Sequence, residues 1–347
     1  MDELEIIDMH THVQRNDMHG NEIRDYFLTP HLVKAGAPNL GTIPEFLDMM
    51  EQIGISAVNM LMFTWSGRYF RHGSYVLPDG EGRAEAEDAL RSRVGARVSE
   101  NNDWAASVVA ERPQFSYFAG VNPIVTGAEA AVEEVVAQRT KGALGVKLVP
   151  SDMGVAGEDR SLFPLYEYCV AHDVPVLTET GGHSPYCRPA GFTGALRTFP
   201  SLKLVFAHCG HDKQFGGSLD QEVLDLAAEF DGVHGDTSLR LHEVADGNVT
   251  PEDMVKFLRT IGTDRIMFGS NYVFSDLLPE KPGHKAAPDH VDPRFTQVWK
   301  SVDVLKTLPL TDAERVAIAG ANFKRLTGFS SQPQGHEKAA LGRKAGT

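Results

Sequence analysis

An eight-stranded β/α barrel is the architecture this sequence predicts, and three observations carry it. Short apolar runs alternate with longer amphipathic stretches along the whole chain. The runs number eight, the count that closes such a barrel. A row of polar residues follows the runs, as expected where a barrel gathers its active site at the strand C-termini. An open doubly wound sheet is the alternative, although the GxGxxG turn of a dinucleotide site is absent after the first run.

The runs fall at residues 5–9, 57–63, 115–121, 145–149, 174–178, 202–207, 232–235 and 266–269. Each is short and apolar, the pattern of a strand buried on both faces. Between them, residues 43–53, 84–111, 128–138, 162–172, 219–230 and 251–261 carry helical periodicity. Residues 64–82, TWSGRYFRHGSYVLPDGEG, are rich in aromatics and glycine and lack helical period; they read as a lid over the barrel mouth. The barrel is expected to occupy residues 1–329, and 330–347 read as a disordered tail.

The bulk composition narrows the function. With 347 residues, 42% of them hydrophobic, the chain can fill one large core. Its 33 basic and 47 acidic residues leave a charge of −14, which argues against nucleic acid or an anionic membrane as main partner and says little more; a small-molecule substrate is the expected partner. The start, MDELEIIDMH, does not read as a signal peptide, and no apolar run reaches 18 residues. Cys169, Cys187 and Cys209 form no CxxC pair, so a reducing cytoplasm is the default expectation.

The residues at or just beyond the run ends are His10 and His12, Thr64, Asn122, Lys147, Glu179, His208, Asp236 and Asn271. In an extended chain residues i and i+2 point the same way, so His10 and His12 can face one metal ion. His208 ends LKLVFAH and His211 follows three residues later; Glu179 ends VLTE, with His183 in the loop beyond. Three imidazoles and a carboxylate at one mouth point to a metal centre. Plainer readings exist: Glu179 could simply pair with Lys147, His183 could be a loop histidine, and His211 could cap the next helix. For substrate contact, Trp65, Tyr69, Phe70 and Tyr75 could wall an apolar pocket. Arg68, Arg71 or Arg188 could hold a carboxylate, and Lys147 at the strand end and His72 on the lid are further candidates for substrate contact.

The segments IIDMHTHV, GVKLVP, PVLTETG, LVFAHCG, DRIMFGSNY and AGANFKRLTGF, in this order, resemble the amidohydrolase superfamily. The similarity is to its amidohydrolase-2 group, which includes aminocarboxymuconate semialdehyde decarboxylase. The resemblance implies a distorted (β/α)8 TIM barrel, a divalent metal at its mouth, and hydrolysis or non-oxidative decarboxylation. Two positions depart from the group's pattern. Glu179 stands where the group carries histidine after strand five, and Asn271 where it carries aspartate after strand eight. An amide cannot accept a proton from metal-bound water near neutral pH, which counts against ordinary hydrolysis.

A carboxylate has two oxygens and can bridge two ions. The leading expectation is therefore a dinuclear centre of iron or manganese. Glu179 would bridge, with His10 and His12 on one metal, His208 with His183 or His211 on the other, and the Asn271 amide oxygen as a neutral ligand. The resemblance then implies the superfamily's oxygenase branch, hydroxylating an aliphatic C–H of a small or medium organic acid or amine with O2 and an electron donor. Glu179, His208 and Asp236 are the expected catalytic residues. The alternative is a single-zinc hydrolase or decarboxylase with His208 or Asp236 in acid–base roles; a carbamylated Lys147 is a further variant. A third reading is a degenerate partner subunit. Homo-oligomers, or hetero-oligomers with a homologous subunit, fit all three.

Overall fold

The computed structural model describes residues 4–27, 37–211, 219–278 and 285–330. Eight parallel strands run in sequence order: β1 Ile7–Thr11, β2 Ala57–Leu61, β3 Phe115–Gly120, β4 Gly145–Leu148, β5 Val176–Thr178, β6 Leu204–Phe206, β7 Val233–Asp236 and β8 Ile266–Met267. The sheet returns on itself beyond β8. Met9 N donates to Phe268 O at 2.9 Å, Asn271 N to His10 O at 2.9 Å and His12 N to Tyr272 O at 2.6 Å. An open sheet is thereby excluded, and the fold is a (β/α)8 barrel.

Inside the barrel, Ile7, Met9, Leu61, Phe118, Leu177, Val205 and Met267 form one apolar cluster, joined by Phe323 and Leu326 of the terminal helix Asn322–Thr327. The larger core lies outside, between strands and helices. Ile43–Ile53 shows how the helices contribute. Pro44 pre-sets its first turn, Phe46, Met49, Met50 and Ile53 repeat at helical spacing and are buried, and Gly54 ends it at φ 80°. Each such side chain contributes about 1.5–3 kcal/mol on burial. Among the described residues, no helix is long and apolar enough to cross a membrane.

The lid is a correction to the sequence reading. Its first half is a helix, Ser66–Ser74, despite two glycines in nine residues. The reason is tertiary. Asp152, in the turn after β4, accepts hydrogen bonds from Gly67 N at 2.7 Å and Arg68 N at 2.8 Å, satisfying amides at the helix start. Gly67 must be glycine for this approach, because a Cβ there would lie 2.0 Å from the Asp152 carbonyl oxygen. Tyr69 and Phe70 then pack beneath Arg97 and Arg91 of the long helix Arg83–Glu111. The tail expectation falls outside the described residues, Ser330 apart.

Candidate metal centre

Alternation along the strands delivers part of the site. Gly145, Leu177 and His234 are each followed two residues later by Lys147, Glu179 and Asp236, so the inward face of an ordinary strand becomes polar at its end. Three other residues depend on backbone irregularity. The β1–β2 register shifts between Asp8 and Thr11, and this turns His10 toward β8 although Ile7 and Met9 already point inward. His208 (φ 60°) and Asn271 (φ 65°) adopt the left-handed conformation, which costs roughly 1–2 kcal/mol for a residue such as histidine and less for asparagine. Such strain persists where the surroundings overdetermine it, and it gathers at functional sites.

His10 and His12 point their Nε2 atoms at each other at 3.2 Å, and His12 Nε2 lies 3.1 Å from Asn271 Oδ1. Two nitrogens bound to one cation at about 2.0–2.1 Å sit about 2.9–3.4 Å apart, for angles between octahedral and tetrahedral. The observed spacing matches that. On its other side, His10 Nδ1 lies 2.8 Å from Asp236 Oδ2. The buried carboxylate thus holds the proton on Nδ1 and leaves the Nε2 lone pair facing His12. His12 Nδ1 is buried with no hydrogen-bond partner among the described residues. Burial holds both imidazoles, and that of His208, well below the usual histidine range, so all three are neutral and suited to ligation. The donor set His10 Nε2, His12 Nε2 and Asn271 Oδ1 therefore fits a divalent cation.

Around it runs a hydrogen-bonded frame. The His208 ring stacks obliquely on that of His10, with centroids 4.8 Å apart, and its Nδ1 lies 2.7 Å from Ser238 Oγ. Ser238 Oγ also reaches His10 Nδ1 at 3.1 Å and donates to Asp236 Oδ1. Asp236 Oδ1 in turn accepts from the backbone N–H groups of His208 and Ser238, both at 3.0 Å. His10, His208 and Asp236 thus form one compact group of potential ligands.

Glu179 stands in a second group, with His183 and Cys187, whose ligand atoms lie within 4.8 Å of one another. His183 Nε2 is 3.0 Å from Glu179 Oε1, while Ser151 Oγ (2.5 Å) and Cys187 Sγ (3.2 Å) donate to Oε2. Burial raises the Glu179 pKa, but the hydrogen bonds and charge of His183, then Ser151 and Lys147, outweigh it and bring it down to about 2. Lys147 is buried between the two groups; burial lowers its pKa to about 8, against the opposing pull of Glu179 and Asp236. His211 belongs to neither group, its Nε2 lying 3.5 Å from Glu243 Oε2.

A cleft of about 370 Å³ opens beside the centre, lined by Phe63, Trp65, Tyr69, Arg15 and Arg97 among others. Phe63 joins it to the metal locus, its ring 5.7 Å from His12 and 5.3 Å from Trp65. Arg68, His72 and Lys147 are not among its lining residues; Lys147 lines a small neighbouring pocket that shares Phe63 and Thr64 with the cleft, and Arg188 is ion-paired with Glu222 at the surface. Sequence reasoning missed Ser151, Cys187, Ser238 and Arg97. Only Cys187 left a signal, the E-x3-H-x3-C spacing from Glu179.

A family model described as amidohydrolase matches residues 7–329. No curated protein sequence matches the chain. Among solved structures, the fold is similar to 5-carboxyvanillate decarboxylase from Sphingomonas paucimobilis (TM-score 0.63, 14% identity, 94% of this chain and 100% of that one). It is similar to a dihydroxybenzoic acid decarboxylase from a Polaromonas species, with bound manganese and 2-nitroresorcinol (0.59, 15%, 94% and 97%). It also resembles 4-oxalomesaconate hydratase from Rhodopseudomonas palustris (0.56, 17%, 93% and 95%).

Proposed function

The chain belongs to the amidohydrolase family, and from that membership we propose a metal-dependent enzyme that removes carbon dioxide, without oxygen, from a small organic acid. The observation that carries this reading is the convergence of His10 Nε2, His12 Nε2 and Asn271 Oδ1 beside a buried lysine. Hydrolysis needs a base to make hydroxide, and Asn271 is not one. Decarboxylation needs only an electron sink and a proton donor. Two of the similar folds are named decarboxylases, one with manganese, which supports the same choice over oxygenation.

A divalent metal held by His10, His12 and Asn271 would supply positive charge where electron density builds up as the carboxyl group leaves. The chain's own residues do the rest. Phe63, Trp65 and Tyr69 form the wall against which the organic framework lies, and Arg97 offers a cation for an anionic substituent. The C–C bond breaks, its electron pair stays on carbon, and Lys147 Nζ delivers a proton there to form the C–H bond. With a pKa of about 8 the ammonium is a competent acid near neutrality, and solvent protonates it again. Asp236 and Ser238 keep the His10 ring oriented throughout.

The test is an anaerobic assay of hydroxyaromatic and unsaturated carboxylic acids, trapping carbon dioxide. In D2O the product should carry one solvent deuterium at the carbon that lost the carboxyl group. Oxygen uptake stoichiometric with product would overturn the reading. It would favour the dinuclear oxygenase instead, for which the specific observation is Glu179 placed between His183 and Cys187.

A further inference from the structure

We infer that Glu179, His183 and Cys187 form a second metal site, distinct from the His10–His12–Asn271 locus and suited to a thiophilic divalent cation of the zinc type. The inference concerns binding alone and does not depend on the reaction proposed above. Three ligands of different hardness converge: one carboxylate oxygen, one imidazole nitrogen and one thiol sulfur, all within 4.8 Å of one another. Around a tetrahedral zinc, with bonds of about 2.0–2.3 Å, such atoms stand roughly 3.3–3.7 Å apart, so closure needs shifts of about an ångström or less. A sulfur ligand turns selectivity away from magnesium and manganese and toward zinc, cobalt or iron.

The frame that holds them is short and tied down. Glu179 N is bonded to Leu148 O of β4 at 3.1 Å. The loop beyond is closed by Gly181 N to Cys187 O and by Cys187 N to Ser184 O, both at 3.1 Å. The three side chains recur every fourth residue of the sequence and meet because this loop folds back on itself. Hydrogen bonds already turn the three ligand atoms toward one another. The Cys187 thiol donates to Glu179 Oε2, and His183 Nε2 bonds to Oε1. Binding exchanges the thiol proton for a metal–sulfur bond and releases that proton to solvent. Ser151 Oγ, 2.5 Å from Glu179 Oε2, or a water would complete the set.

A nucleophilic Cys–His–Glu relay is the competing use of these residue types. It is disfavoured because Cys187 is fully buried, and burial pushes its thiol up to about 11.

The experiment strips wild type, Cys187→Ser and His12→Ala with a chelator, then titrates each with Co2+ and reads the near-ultraviolet absorption of a cobalt–thiolate bond. The band should grow to one equivalent in wild type, persist in His12→Ala and vanish in Cys187→Ser. Zinc added to wild type should displace it. A fully loaded wild type without the band overturns the inference, as does a band that survives in Cys187→Ser, which would belong to Cys209 or Cys169. His183→Ala keeps the buried thiol and should weaken cobalt binding at least tenfold; unchanged affinity there also overturns it. None of these outcomes alters the anaerobic carbon dioxide result, so the two readings fail separately.

Discussion

Asp236 decides which nitrogen of His10 carries the proton, and a metal site depends on that choice. Its Oδ2 accepts from His10 Nδ1, while Oδ1 is held by the backbone of His208 and Ser238. Asp236→Asn keeps the shape but removes the charge that favours an Nδ1 proton. Metal affinity should fall by about 10–100-fold, measured by chelator competition; an unchanged dissociation constant would mean His10 is not a ligand through Nε2. Lys147 makes a prediction with a sign. Its ammonium is the active form, so kcat should hold below pH of about 8 and fall as pH rises through it. Lys147→Met should lose on the order of 100-fold or more in kcat and lose that limb of the profile. A variant that keeps the same limb would assign the proton to another group.

The elements show what could be read from the chain and what could not. Lys147, Glu179 and Asp236 were legible because inward positions recur every second residue, so an apolar run predicts the aim of its last side chain. His10 and His208 were legible as residues but not as geometry. The register shift in β1 and the left-handed turn at His208 arise from contacts between strands that no local pattern encodes. Ser238 and Ser151 were invisible for a related reason: serines are common near strand ends, and only the fold brings these two to His10 and Glu179. The lid helix was misread because its own residues, SGRYFRHGS, favour no helix, while Asp152 supplies the missing partner for its first amides from a distant loop. Asp152→Ala should therefore cost about 0.5–2 kcal/mol, the usual worth of a capping carboxylate, and speed tryptic cleavage at Arg68 and Arg71. Unchanged cleavage would show that the helix stands without its cap.

At the scale of the whole molecule, one mouth gathers several neutral histidines, and stability inherits their titration. Burial depresses His10, His12 and His208 below their ordinary value of 6.5, so the unfolded chain binds protons that the native state refuses. Their contribution is fully present above pH of about 6.5 and is lost as pH falls below it. The chelator-treated protein should thus melt progressively lower as the medium is acidified from pH of about 7 to 5. A bound cation should oppose this, adding about 2.7 kcal/mol when its concentration is a hundred times the dissociation constant. The six segments that carry the resemblance made the barrel and its family legible, because each covers a strand end or the terminal helix. Splitting the ligands into two groups needed coordinates, since only the fold brings His10, His208 and Asp236 together and sets Glu179 with His183 and Cys187 instead. Elemental analysis of wild type beside His12→Ala, both purified without added metal or chelator, tests the metal centre at His10, His12 and Asn271. Divalent metal is expected in the wild type, with one equivalent per chain lost in the variant. Equal metal content in the two proteins would contradict it.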